Sequence, residues 1–354
     1  MTRHTVGGAF GAQTEMSSPT VTALIDTYNY GHFVEEAIES VLAQDFPADR
    51  LEILVVDDGS TDDTRERVAK YASRVKYLYK PNGGQASAFN VGLATAQGDI
   101  VAFLDADDYW LPGKLRRVVQ AFELQPDAGL VYHAVRELQS STGQLRDFSF
   151  NEVSGDVAHD TKKILQYTAA PTTGLIFRKK CVHELLPLND SLVIEADAVL
   201  TALIIFIAPV VAIPEPLGVY RIHGGNLFSQ SSADADVQRQ SRRLAMMKTV
   251  IEEIDDWLLN TGHDLKQPEI LAFRRRWKLL YETEIFRIKP PTRPQFFSHL
   301  VRAMACMSPC LTAKIQAVNA LNAAGALLFG YQRYTLLDDW RIRVTRGFKA
   351  SAEL

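Results

Sequence analysis

The stretch Ile100-Val101-Ala102-Phe103-Leu104-Asp105-Ala106-Asp107-Asp108 runs from an unbroken apolar segment straight into three carboxylates within four residues. An apolar run of that length fits a strand buried on both faces, as in a parallel sheet covered by helices. Its C-terminal end then delivers acidic side chains to one place. Hard carboxylate oxygens suit a divalent cation, and a cation held there suits a phosphate-bearing substrate. A second acidic strand end, Val55-Val56-Asp57-Asp58-Gly59-Ser60, repeats the pattern upstream.

Outward from these two ends the chain alternates. Strands are predicted at 21–25, 53–56, 75–78 and 100–104, with helices at 33–43, 62–71 and 86–96. This spacing argues for an α/β domain with a mostly parallel sheet flanked by helices. Ser60-Thr61-Asp62-Asp63 offers capping residues and acidic first-turn charges to the second helix. Gly98 stands where the third helix should stop. Further strands are expected at 130–138, 174–177 and 218–222, and a helix at 198–207. Beyond 229 the pattern turns helical, at 236–259, 269–288, 295–307 and 311–329. Three parts follow: a flexible leader (1–18), a catalytic α/β domain (19–228) and an all-helical C-terminal region (229–354). The basic run Arg274-Arg275-Arg276 reads as a solvated helix face.

The bulk numbers exclude several classes. A net charge of -4 over 354 residues gives no support for a nucleic-acid binder, which usually shows a basic face. Three cysteines are too few and odd in number for a disulfide framework, and Cys306 and Cys310 have no further ligands nearby for zinc. The leader lacks the apolar core of a signal peptide. The longest apolar run, 199–213, contains Pro209 and falls short of the roughly 20 residues needed to span a bilayer. A cytoplasmic protein is expected, with peripheral contact at the inner membrane face possible through its C-terminal helices. Those helices could equally form a homodimer interface.

In an open parallel sheet, ligands bind outside the carboxyl ends of the strands. The four strand ends carry Asp26-Thr27-Tyr28-Asn29, Asp57-Asp58-Gly59-Ser60, Pro81-Asn82-Gly83-Gly84-Gln85 and Asp105-Ala106-Asp107-Asp108. Tyr28 offers an aromatic face and Asp58 an acceptor for a base N–H. Gly83-Gly84 lets backbone N–H groups approach a ligand at the mouth of a helix. Asp105 and Asp107 offer oxygens to Mg²⁺ or Mn²⁺. Asp108 is expected to be structural.

These four runs, in this order and spacing, together with Asn82-Gly83-Gly84-Gln85-Ala86-Ser87-Ala88-Phe89-Asn90-Val91-Gly92 and Pro214-Glu215-Pro216-Leu217-Gly218-Val219-Tyr220-Arg221-Ile222-His223-Gly224-Gly225-Asn226, resemble family 2 glycosyltransferases over about residues 20–228. The resemblance implies a GT-A fold and an inverting transfer from a nucleotide-sugar donor, assisted by a divalent cation (Mn or Mg). The donor site would be lined by Asp26, Tyr28, Asp58, Gly84, Gln85, Asn90, Asp105 and Ala106. Asp107 would be the direct metal ligand, with Asp105 and His223 completing the site. The acceptor-side acid falls in Ile194-Glu195-Ala196-Asp197, giving Asp197 as general base with Glu195 as the alternative. UDP or dTDP is favoured as the carrier, and the acceptor would be a glycan, a lipid-linked species or a protein, as in surface polysaccharide or glycoconjugate synthesis. The acceptor pocket is expected from the segment 132–173. Asp26 departs from the uncharged residue common at that position, and Ala196 from an acidic one. Phe273 stands where polymer synthases carry a Gln before their Arg-Trp pair, which argues against a processive synthase. Two other readings are a nucleotidyltransferase, which would carry a basic Gly-rich loop after the first strand, and a non-catalytic nucleotide-sugar-binding scaffold.

Overall fold

A computed structural model describes residues 20–148, 151–226 and 233–310. The leader and the helix expected at 311–329 lie outside the described residues. The elements in chain order are β1 (Val21–Thr27), α1 (Gly31–Leu42), β2 (Leu51–Asp57), α2 (Thr64–Ala69), β3 (Val75–Tyr79), α3 (Gln85–Thr95), β4 (Ile100–Asp105), β5 (Tyr109–Trp110), α4 (Lys114–Leu124), β6 (Leu130–Gln139), β7 (Gln144–Asp147), α5 (Thr161–Gln166), β8 (Leu175–Arg178), α6 (Lys179–Val182), α7 (Ala196–Ile204), β9 (Val210–Ile222), α8 (Ala233–Asn260), α9 (Pro268–Ile288) and α10 (Arg293–Met307).

One sheet carries the domain, in the order β3-β2-β1-β4-β8-β6-β9-β5, with β7 beside β6. The pairs β3-β2, β2-β1 and β1-β4 are parallel. Beyond β4 the sheet is mixed: β8 is antiparallel to both β4 and β6, while β9 runs parallel to β6. Successive side chains on a strand point to opposite faces, and here both faces are covered. Ala23 and Ile25 join a core with Val34, Ile38 and Val41 of α1 and Leu115, Val118 and Phe122 of α4. Leu24 points the other way, into a core with Phe89 of α3 and Leu200 and Leu203 of α7. This double burial is why these strands read as continuous apolar runs.

The described C-terminal helices share that second core. Val250, Ile254 and Leu258 of α8 and Ile270 and Phe273 of α9 belong to it, the α8 residues spaced four apart on one helix face. No helix among the described residues is long and apolar enough to cross a membrane.

Several expectations need correction. The basic run is not simply solvated: Arg274 pairs with Asp255 of α8 at 2.5 and 2.7 Å, and Arg276 donates to Tyr167 O at 2.6 Å, while Arg275 is exposed. Gly98 does not end α3, whose C-cap is Ala96. A side chain at Gly98 would instead stand 2.5 Å from Thr22 N, so the glycine permits close backbone passage. The cap of α2 is Asp63, which makes no side-chain cap bond; Asp62 accepts from Thr64 N–H and Gly31 N–H instead, at 3.0 Å each. The segment 132–173 is not one loop, since it contains most of β6, then β7 and α5, and Tyr132 is in the core. β9 begins at Val210 rather than 218, running through Pro214 and Pro216. Its register shifts opposite His133 and Ala134, and β5 covers it only at Gly218 and Val219, so both prolines sit at a bulge on an open edge.

Candidate active site

β1 and β4 run in parallel register with Asp26 opposite Asp105, so two strand ends place two carboxyls side by side. Each carboxyl acts on the proton affinity of the other. Burial pushes Asp26 up to about 7, and its mutual hydrogen bond with Asp105 holds it from going higher. Burial also drives Asp105 well above the usual carboxylate range, with Asp26, Asp108 and Asp107 adding to the rise. Asp26 Oδ1 is buried without a hydrogen-bond partner.

The next turn adds two more acids. Asp107 Oδ2 accepts from His223 Nε2 and Asn226 Nδ2, both at 3.0 Å. Asp108 accepts from Arg221 N–H at 2.7 Å and from the Thr173 hydroxyl. Arg221 also donates from Nε to Asp107 O at 2.7 Å and from Nη2 to Glu36 at 2.5 Å, with its guanidinium 4.8 Å from the Phe33 ring centre. The return strand β9 therefore clamps the acidic turn through one arginine. Asp108, held by protein on both oxygens, fits its expected structural part. Ligand oxygens of Asp105, Asp107 and Asp108 all lie within 4.8 Å of one another. An all-carboxylate donor set with an orphaned buried oxygen beside it fits a hard divalent cation such as Mg²⁺ or Mn²⁺. His223 Nδ1 accepts from Gly225 N–H at 3.1 Å, which leaves the proton on Nε2, facing Asp107. In this arrangement His223 is a donor to Asp107 and stands outside the three-aspartate group.

The second acidic strand end is built differently. Asp57 accepts from Ser60 N–H at 2.7 Å and Tyr77 hydroxyl at 2.5 Å. Asp58 accepts from Lys80 Nζ at 2.5 Å, Gly83 N–H at 3.0 Å and Gly84 N–H at 2.7 Å. The glycine N–H groups expected to face a ligand are thus spent on Asp58, whose carboxylate keeps roughly one of its four lone-pair sites. Gly84 is required where it stands: its φ is +84°, and a Cβ would lie 2.5 Å from Val193 Cα.

The N-terminus of α3 is covered too. Gln85 N–H and Ala86 N–H donate to Val193 O and Leu192 O at 2.9 and 3.1 Å, and Gln85 Oε1 accepts from Ala196 N–H at 3.0 Å. Asn90, expected near the ribose or diphosphate, holds the Leu188 backbone at 2.8 and 2.9 Å and Asp190 at 3.2 Å. Ala106 has its side chain in the core and its N–H on Asp26 O at 3.1 Å. Tyr28 is 46% exposed and open to stacking.

At the remaining pair of carboxylates singled out from the sequence, α7 starts earlier than expected, so Asp197 lies in its first turn and Glu195 is its N-cap. Glu195 takes φ 63°, a left-handed backbone uncommon for a side-chain-bearing residue. Burial pushes it up to about 7, nearby Asp197 adds, and Arg243 at 3.6 Å opposes. Asp197 is raised by burial, against a hydrogen bond from Thr172 at 3.1 Å. Asp197 is close enough to raise Asp26 and Asp105, whereas Glu195 interacts with Arg243 and Glu284 of the C-terminal helices. Arg221, Asn226, Thr172 and Thr173 were not legible as site residues. Arg221 and Asn226 sit inside the quoted run ending at Asn226, but nothing marks their partners; the threonines belong to no motif.

The family model Glycosyl transferase family 2 matches residues 22–185. An uncharacterized glycosyltransferase of Nostoc sp. (strain PCC 7120) is 33% identical over 253 residues, spanning 69% of this chain and 77% of that relative. S. aureus TarS 1-349 in complex with UDP-GlcNAc superposes with a TM-score of 0.58 at 20% identity, over 91% of each chain. The mannosyltransferase PcManGT of Pyrobaculum calidifontis, in complex with GDP-Man and Mn²⁺, gives 0.55 at 19% identity, over 91% of this chain and 84% of that one. At these identities the two structures speak to the fold, which is GT-A. With the sequence match to the Nostoc relative and the family model across the acidic strand ends, the chain belongs to glycosyltransferase family 2.

Proposed function

We propose that this protein is an inverting glycosyltransferase that moves a sugar from a nucleoside-diphosphate sugar to an acceptor hydroxyl. The observation that carries the reading is the three-aspartate group at the end of β4, with Asp197 of α7 close enough to act on its electrostatics. One similar structure binds UDP-GlcNAc and another binds GDP-Man and Mn²⁺, which supports a nucleotide-sugar donor here. UDP or dTDP is the favoured carrier, with GDP the comparison.

Asp107, with Asp105, would hold the cation, which when bound offsets the negative charge that grows on the leaving diphosphate. His223 and Asn226 orient Asp107 from behind. Tyr28 would stack on the base, and Asp58 would keep the base-side loop in shape. Asp197 would take the proton of the acceptor hydroxyl as it attacks. Burial has raised its proton affinity, which improves a carboxylate as a base. Asp197 is favoured over Glu195 because Glu195 is turned toward Arg243. Acceptors of the surface-glycan or lipid-linked kind fit the reading.

Thermal denaturation with UDP, dTDP or GDP, each with and without Mn²⁺, tests it. A metal-dependent rise in the midpoint with one nucleotide is expected; no shift with any of the three would overturn the proposal.

A further inference from the structure

The turn Thr172–Gly174 lies between the two acidic centres, and its first two residues reach in different directions. Thr172 Oγ1 donates to Asp197 Oδ2 at 3.1 Å. Thr173 Oγ1 donates to Asp108 Oδ2 and accepts from Asp105 N–H at 3.4 Å. Two consecutive hydroxyls therefore tie α7 on one side and the acidic turn after β4 on the other. The topology explains the placement: β8 runs antiparallel to β4, so the turn that precedes β8 arrives at the carboxyl end of β4.

The turn is itself held from beneath. Lys114, fully buried, donates from Nζ to Thr173 O at 2.6 Å and lies 4.2 Å from the Trp110 ring centre. Thr172 and Thr173 are buried as well. Valine would fill the same space, so packing alone does not call for a hydroxyl at either position.

We propose that Thr172 and Thr173 are a pair of positioning residues: Thr172 orients the acceptor-side carboxylate Asp197, Thr173 orients the Asp105–Asp108 turn, and the single peptide link between them sets the spacing of the two centres. The proposal rests on the reading of Asp197 and Asp107 given above.

The test uses the full chain with Thr172→Val, Thr173→Val and a serine variant at each position. Mn²⁺-dependent binding of the nucleoside diphosphate is measured by calorimetry, and kcat and KM are measured for hydrolysis of the matching nucleotide sugar. Thr173→Val should raise the Mn²⁺ needed for half-maximal nucleotide binding by about tenfold, the size typical of losing a group that orients a metal ligand. Thr172→Val should leave that binding unchanged and lower kcat roughly tenfold or more, as expected when a general base is misaligned. Serine should restore both, which a purely structural contribution of the threonine methyl would not allow.

A valine variant equal to wild type in binding and turnover overturns the proposal. So does Thr172→Val weakening Mn²⁺-dependent binding as much as Thr173→Val does. If a valine variant does not fold, alanine at that position is read in its place. Wild-type protein that binds no nucleotide with Mn²⁺ would bring down the glycosyltransferase reading, and this proposal with it. Wild-type binding and turnover with unaffected variants would bring down this proposal alone.

Discussion

The carboxyl ends of β2 and β4 carry closely related strings, Asp57-Asp58-Gly59-Ser60 and Asp105-Ala106-Asp107-Asp108, and meet opposite environments. At β2 the acids are satisfied by the protein: Asp58 alone gathers a lysine and two backbone N–H groups. At β4 acid faces acid. Asp105 stands beside Asp26, and Asp107 takes a hydrogen bond from His223, whose Nδ1 is itself an acceptor. Burying a charge is costly unless it is paired; burial and neighbouring acids raise the proton affinities of Asp26, Asp105 and Asp108, with Arg221 opposing the rise at Asp108. One strand end is a finished structural joint, and the other has a charge deficit that a divalent cation would fill.

Substitutions should separate the two. Asp107→Asn is expected to abolish Mn²⁺-dependent nucleotide protection and lower turnover by roughly 10³-fold, the equivalent of several kcal/mol of lost charge stabilisation. Retained metal dependence would erase the distinction drawn here. Asp197→Asn should cut kcat by about 10²–10⁴-fold while nucleotide binding persists, measured by calorimetry beside turnover. Loss of nucleotide binding would move Asp197 to the donor side.

At the finished joint the effect should be on stability. Asp58→Asn, which removes the anion from three donors, is expected to cost about 1–3 kcal/mol in chemical denaturation, with or without Mn²⁺. A loss that Mn²⁺ reverses would make Asp58 part of the cation site. The remaining effect is one of pH and concerns Glu195, which burial pushes up to about 7 from an ordinary 4.5. Between those values the unfolded chain has released the proton and the folded chain keeps it. Glu195 therefore contributes its full stability below about 4.5 and loses it as pH rises through about 7, with a slope of at most about 1.4 kcal/mol per pH unit. Glu195→Gln should flatten denaturation midpoints over that range; an unchanged slope would remove Glu195 from the account.

The parallel half of the fold was legible because its inner strands β1, β2 and β4 are covered on both faces, which leaves an apolar run with a chemical signature at its end. Legibility failed where pairing partners decide the outcome. The strand expected at 218–222 starts instead at Val210, and β9 carries Pro214 and Pro216 at a bulge. α4 passed unrecognised although Leu115, Val118, Val119 and Phe122 trace a helix face. The acids Asp26, Asp58, Asp105 and Asp107 could be picked out by position, but which were free to act depended on neighbours up to 119 residues away, as Asn226 is from Asp107. Asn90 shows the same limit: its place in a motif was clear, and its amide turned out to hold the Leu188–Asp190 segment.

The contact of Gly84 with Val193 bears on how such an enzyme could be rebuilt. The glycine turn and the segment leading into α7 are stitched by Gln85 N–H to Val193 O, Ala86 N–H to Leu192 O and Ala196 N–H to Gln85 Oε1. The two segments are therefore a single exchangeable cassette although 108 residues of sequence part Gln85 from Val193. A chimaera that imports a new segment around Asp197 without the matching glycine turn would inherit a mismatched seam. Transplanting the two together is the cut that the backbone permits.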